Sequence, residues 1–204
     1  MAPPNPSVLP LLGKHIWRGH QVPEGHGREP TGHAQLDALL PAGGWPEHSL
    51  IELLLPADGV GELALLLPTI ARLTTTGRSV ALVGAPYIPY APAWQRNGVE
   101  LRHLHVVDAR DRQAAWAFEQ ILRSAACGAV IAWPGAMQAT GLRRLQLAAL
   151  EGRSLGFIVR DARSAENASP AALRIELRAD RQLLVRKCRS GMPAQCPIPL
   201  SVLH

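Results

Sequence analysis

Cysteine is scarce in this chain: its 204 residues hold three, Cys127, Cys188 and Cys196. An odd number, at spacings that match no zinc motif, argues against a disulfide framework and suits reduced thiols in a cytosol. Also missing is any run of the roughly 18 uninterrupted apolar residues that a membrane-spanning helix needs. The apolar stretch at residues 63–67 is too short. No basic start or cleavage site marks the first twenty residues, so they do not read as an export signal. A third absence is local: residues 50–73, LIELLLPADGVGELALLLPTIARL, contain no lysine. That stretch reads as strand, glycine-containing turn and helix, the layout that cradles nucleotide phosphates.

What is present is a basic skew. The net charge is +5, and +4 of it falls in residues 160–204, which hold eight basic and four acidic groups. Such an end suits an acidic partner, nucleic acid or an acidic protein face, or else forms a solvated rim.

Length favours one domain with a substantial core. Residues 1–30 hold six prolines and four glycines, predicting an irregular arm with Trp17 as its anchor, docked on its own core or on a neighbouring subunit. Thr31 is an N-cap candidate for a short helix to about Leu40, which Pro41 and the glycine pair of PAGGWP stop. Strands are predicted at Leu50 to Leu55, Val80 to Gly84, His103 to Val107, Ala129 to Trp133 and Leu155 to Arg160, with helices near 61–76, 90–97, 111–126 and 138–151. Short apolar strands alternating with helices predict a mostly parallel α/β sheet covered on both faces. Asp111 is an N-cap candidate, and Phe118, Ile121, Leu122 and Ala125 share one face of a helix that Gly128 should end. After Pro170 the period changes to two, in LRIELRAD and QLLVRKCRS with a last strand near Ile198 to Val202, predicting an antiparallel extension at one edge.

A phosphate loop needs G-x-x-x-x-G-K-[ST], with glycines to converge backbone N–H groups, a lysine for charge and a hydroxyl for magnesium. Aligned on Gly61, PADGVGEL puts Pro56 in the first glycine slot, Glu62 in the lysine slot and Leu63 in the hydroxyl slot. Gly59 and Gly61 could still form a small anion nest, but a tight strand-to-helix turn requires glycines on its own account.

These segments resemble the core of the RecA superfamily. More narrowly, HIWRG, LDALLPAGGWP, APYIPYAP, EQILRSAACGAVIAW, LRRLQLAA, SPAALRIEL and VRKCRSG, in this order over residues 15–202, resemble the ImuA family of accessory proteins in SOS-induced translesion DNA synthesis. The resemblance implies a RecA-like domain over 31–204 with a degenerate nucleotide site and a basic, β-rich portion at 160–204. Where a RecA-type ATPase carries its catalytic glutamate this chain has Ala85, and where the magnesium-associated aspartate should follow AVIA it has Trp133. The implied role is a non-enzymatic adaptor without cofactor, cytoplasmic, working with an ImuB-like protein, an error-prone DNA polymerase and RecA. Direct DNA contact and self-association stay open. The rival is a SulA-type cell-division inhibitor acting on a tubulin-like division protein, against which stands the length of the basic extension.

The candidate partner-binding residues are therefore Arg174, Arg178, Arg181, Arg186, Lys187, Arg189 and Trp17, with solubilisation of an edge strand as the plain alternative for the basic set. Other chemistry is discounted. The eight histidines, His103 and His105 among them, complete no tetrahedral ligand set, and Ser124 and Ser154 lack a nucleophile elbow. Asp108, at the carboxyl edge of the sheet, reads as a turn cap or a ligand contact. Tyr87, Tyr90, Trp94 and Trp133 should gather at that edge, as a packed plug or as an anchor for a partner.

Overall fold

The computed structural model describes residues 29–180, 182–189 and 197–199. Trp17, Arg181, Cys196 and the first 28 residues of the expected arm lie outside them. The apolar segments become β1 (Leu50–Leu55), β2 (Ser79–Val83), β3 (Leu104–Val107), β4 (Cys127–Ala132) and β5 (Leu155–Asp161). Helix α1 (Ala34–Leu39) precedes them, and α2 (Glu62–Thr75), α3 (Ala91–Arg96), α4 (Asp111–Arg123) and α5 (Ala139–Glu151) alternate with them. With β6 (Leu173–Leu177), β7 (Gln182–Cys188) and β8 (Ile198–Pro199) they form one sheet in the order β3-β2-β4-β5-β1-β6-β7-β8. Among the described residues no helix is long and apolar enough to cross a membrane.

Alternation along β1 divides the core. Ile51, Leu53 and Leu55 face a cluster with α1, α2 and α3, whereas Leu50 belongs to the cluster under α4 and α5. Every β1 residue is buried, because helices cover both faces. Trp45 supplies the largest buried side chain of the first layer. Its indole N–H donates to Thr69 Oγ1 at 2.8 Å and its ring meets Phe157 edge-on, 5.1 Å between centroids. Glu29 reaches the same layer, bridging to Trp45 and pairing with Arg72, so the folded part begins before Thr31.

One sheet expectation changes. β6 does not open an antiparallel edge: it lies beside β1 in parallel register, Ile51 opposite Leu173, because the chain leaving β5 crosses to the far side of β1. Antiparallel pairing starts only at β7, through a hairpin closed by Arg178 N–H donating to the Gln182 carbonyl at 2.8 Å. Helix ends change too. Ala125 takes a left-handed φ of 56° and ends α4 three residues before Gly128, which lies in β4. Asp111 is the first helical residue of α4, at φ 49°, and caps nothing with its side chain. Likewise His33, not Thr31, precedes α1, and Thr31 Oγ1 accepts the His33 N–H.

Helices α4 and α5 approach as closely as a missing side chain allows. Gly152, which ends α5, sits against the α4 backbone: a Cβ there would lie 1.7 Å from the Leu122 carbonyl oxygen.

Candidate functional site

The loops that leave β1 to β5 meet at the carboxyl edge of the parallel strands, the edge where open α/β sheets bind ligands. They enclose a cleft of about 470 Å³ lined by residues that include Pro56 and Asp58, Ala85 and Pro86, Asp108 to Asp111, Trp133, and Arg160 with Asp161. Gly84 makes the junction of β2 and β3 possible: its φ is +66°, and a Cβ would stand 2.6 Å from the Ala109 carbonyl oxygen.

The loop after β1 is a glycine turn whose amides are occupied by a side chain of its own helix. Gly59 and Gly61 adopt positive φ of 81° and 118°. Their N–H groups donate to the two oxygens of one carboxylate, Glu62 Oε1 at 2.9 Å and Oε2 at 3.1 Å. Glu62 opens α2 and is buried. A carboxylate there is favoured by the amide nest and by the helix dipole, so the residue in the lysine slot supplies the negative charge that such a turn otherwise collects from phosphate.

The remaining walls carry little that would hold a triphosphate. Trp133, in the aspartate slot, is half-buried, with its indole Nε1 buried and unpaired among the described residues. Asp58, Asp108 and Asp111 are exposed, and Arg110, not Asp108, is the residue before α4, with no side-chain cap bond there. Asp161 accepts from the Arg163 N–H at 2.7 Å. Arg160 turns inward, donating to Glu52 at 2.8 Å and to the Met137 carbonyl at 3.0 Å. The expected aromatic group separates: Trp94 is buried in the core through α3, Trp133 lines the cleft, and Tyr87 and Tyr90 are exposed beyond it.

No family model and no curated protein matches the chain. The crystal structure of SulA from Pseudomonas aeruginosa is similar. It aligns at 21% sequence identity over 54% of this chain and 96% of that one, with a TM-score of 0.46.

The basic end is less basic at its surface than its composition suggests. Arg174 is not part of an accessible face. It is buried on β6, where its guanidinium pairs with Glu52 and donates to the carbonyls of Ser164, Ala165 and Asn167. The reason is that β6 is an inner strand, so the face assumed to meet solvent is covered by the segment after β5. Glu52, fully buried on β1, thus stands between Arg160 and Arg174 on the strands either side. An acidic residue inside the apolar run LIELLL was the available signal for such a partner pair. Arg178 and Arg186 are exposed but share Glu176. Lys187 donates to the Ser169 carbonyl at 2.6 Å, and burial, with Arg189 and Arg174 nearby, holds its pKa below the usual lysine value. Arg189 is exposed, with its backbone N–H on Ala172.

Exposed charges of this kind contribute little to folding. Replacing Arg186 and Arg189 together with Ala should leave unfolding free energy within about 1 kcal/mol of the parent, read from denaturant midpoints. A larger loss would mean that the Arg186–Glu176 pair holds the β6–β7 edge.

Proposed function

We propose that this chain is a non-enzymatic adaptor of SOS-induced translesion DNA synthesis, acting in the cytoplasm with an ImuB-like protein, an error-prone DNA polymerase and RecA. The observation that carries the non-enzymatic half is the Glu62 carboxylate on the Gly59 and Gly61 amides. A nucleotide would have to displace an internal ligand already attached to the loop, and then sit beside its negative charge. At a separation of about 4 Å and an effective dielectric near 20, that repulsion is on the order of several kcal/mol. Leu63, Ala85 and Trp133 offer neither the hydroxyl nor the carboxylates that phosphoryl transfer uses. The translesion half rests on the order and spacing of the sequence motifs that resemble the ImuA family.

Two measurements test the halves separately. In an ATP titration the parent should show no saturable binding below about 100 µM, a range typical of working nucleotide sites. The double variant Glu62→Lys, Leu63→Thr should stay equally silent, because Pro56 still occupies the first glycine slot and both carboxylates are still missing. Saturable binding by the parent overturns the non-enzymatic reading. For the second half, tagged protein recovered from cells after DNA damage should bring down polymerase and RecA subunits. Recovery of a tubulin-like division protein in their place overturns it.

A further inference from the structure

Beyond the cleft, the β2–α3 loop carries three large apolar side chains within four residues. Tyr87 is 69% exposed, Ile88 95% and Tyr90 66%. Single exposed apolar residues are ordinary, but a cluster rimmed by polar groups marks a contact surface. Neither tyrosine hydroxyl has a hydrogen bond, and neither ring a stacking partner, among the described residues. Pro86 and Pro89 restrict the loop backbone, so little conformational freedom remains to be lost on docking. Tyrosine on a stiff segment is the kind of side chain that dominates binding energy at protein interfaces.

The charge beside this loop chooses the partner. Its stem, Ala85 and Pro86, lines the same cleft as Asp58, Asp108 and Asp111. All three aspartates are exposed, and none has an ion pair or hydrogen bond among the described residues. Against them stands one exposed cation of the lining, Arg110, since Arg160 is committed to Glu52. An acidic rim on a chain of net charge +5 is a local reversal of sign, and it repels phosphate backbones.

We propose that the Tyr87–Tyr90 loop and the aspartates beside it form a docking surface for a partner-protein segment that presents large apolar side chains next to lysine or arginine. The apolar anchors pack on Tyr87, Ile88 and Tyr90, while the cations meet the aspartates and speed encounter at low salt. This surface is independent of the translesion assignment and uses no nucleic acid.

The probe is a random dodecapeptide phage library selected on the immobilised full chain. The enriched peptides should combine large apolar residues with Lys or Arg. Synthetic copies should bind the variant Tyr87→Ala, Ile88→Ser, Tyr90→Ala at least tenfold more weakly than the parent, and likewise the variant Asp58→Asn, Asp108→Asn, Asp111→Asn. All six positions are exposed, and either variant suffices if the other folds poorly. Several results overturn the proposal: no enrichment, a consensus without cations, or peptides that bind both variants like the parent. Sedimentation of the parent supplies one more, since self-association dissolved by Ile88→Ser would make the occupant a second copy.

Discussion

Glu52→Ala should lower the unfolding free energy by about 3–5 kcal/mol, the usual cost of leaving buried charge without its partner. Glu52 is fully buried between two guanidiniums, so its removal strands Arg160 and Arg174 together in the interior. Glu52→Gln should cost nearly as much, because an amide keeps the shape but not the counter-charge. Arg174→Met tests a different part of the network. Glu52 keeps Arg160, but the carbonyls of Ser164, Ala165 and Asn167 lose their donor, so the 3-10 turn Ala162–Glu166 should become the first site of proteolysis. Denaturant unfolding of the three variants beside the parent decides the matter. A loss under about 1 kcal/mol for Glu52→Ala would show that the triad contributes no more than a surface pair.

Gly152→Ala should be nearly as damaging, for a steric reason. The added carbon would stand 1.7 Å from the carbonyl oxygen and 2.8 Å from the carbonyl carbon of Leu122. Both are backbone atoms, so no rotamer change relieves the contact and α4 must move away from α5. The expected cost is about 3 kcal/mol, the upper part of the range for overpacking, or a melting temperature lower by about 10 °C in a chain of this size. Gly77→Ala is the control. Gly77 has φ +77° and nothing within 4 Å of its missing Cβ, so it isolates backbone strain, about 1–2 kcal/mol. Equal melting of the two variants would mean that the helices yield without cost.

These sites also show what a sequence makes legible. The limits of β1 were readable to the residue, because LIELLL is an apolar run interrupted only by Glu52 and ended by Pro56. The α2 and α5 boundaries fell within a residue of expectation for a similar reason, since each lies between a glycine-bearing or polar turn and a strand. Strand direction was not legible. Period-two alternation is the same in parallel and antiparallel strands, so it fixes neither the partner geometry of β6 nor the side of the sheet surface on which Arg174 lies. Inside PAGGWP the core role of Trp45 is not legible, because turn residues surround it. The bonds from Glu62 back to Gly59 and Gly61 were not legible: the letters give a carboxylate beside two glycines, and only the loop geometry gives what it does there.

The position of β1 bears on how the protein comes off the ribosome. Its two neighbours are β5 and β6, so Leu50 waits for Gly156 and Ile51 for Leu173 before either edge of the strand is paired. At about 5–20 residues per second, the interval between finishing β1 and finishing β6 is about 6–25 s. The β5 edge can pair sixteen residues before β6 is finished, so for most of that time a largely apolar strand has neither hydrogen-bonding partner, which exposes the nascent chain to mispairing.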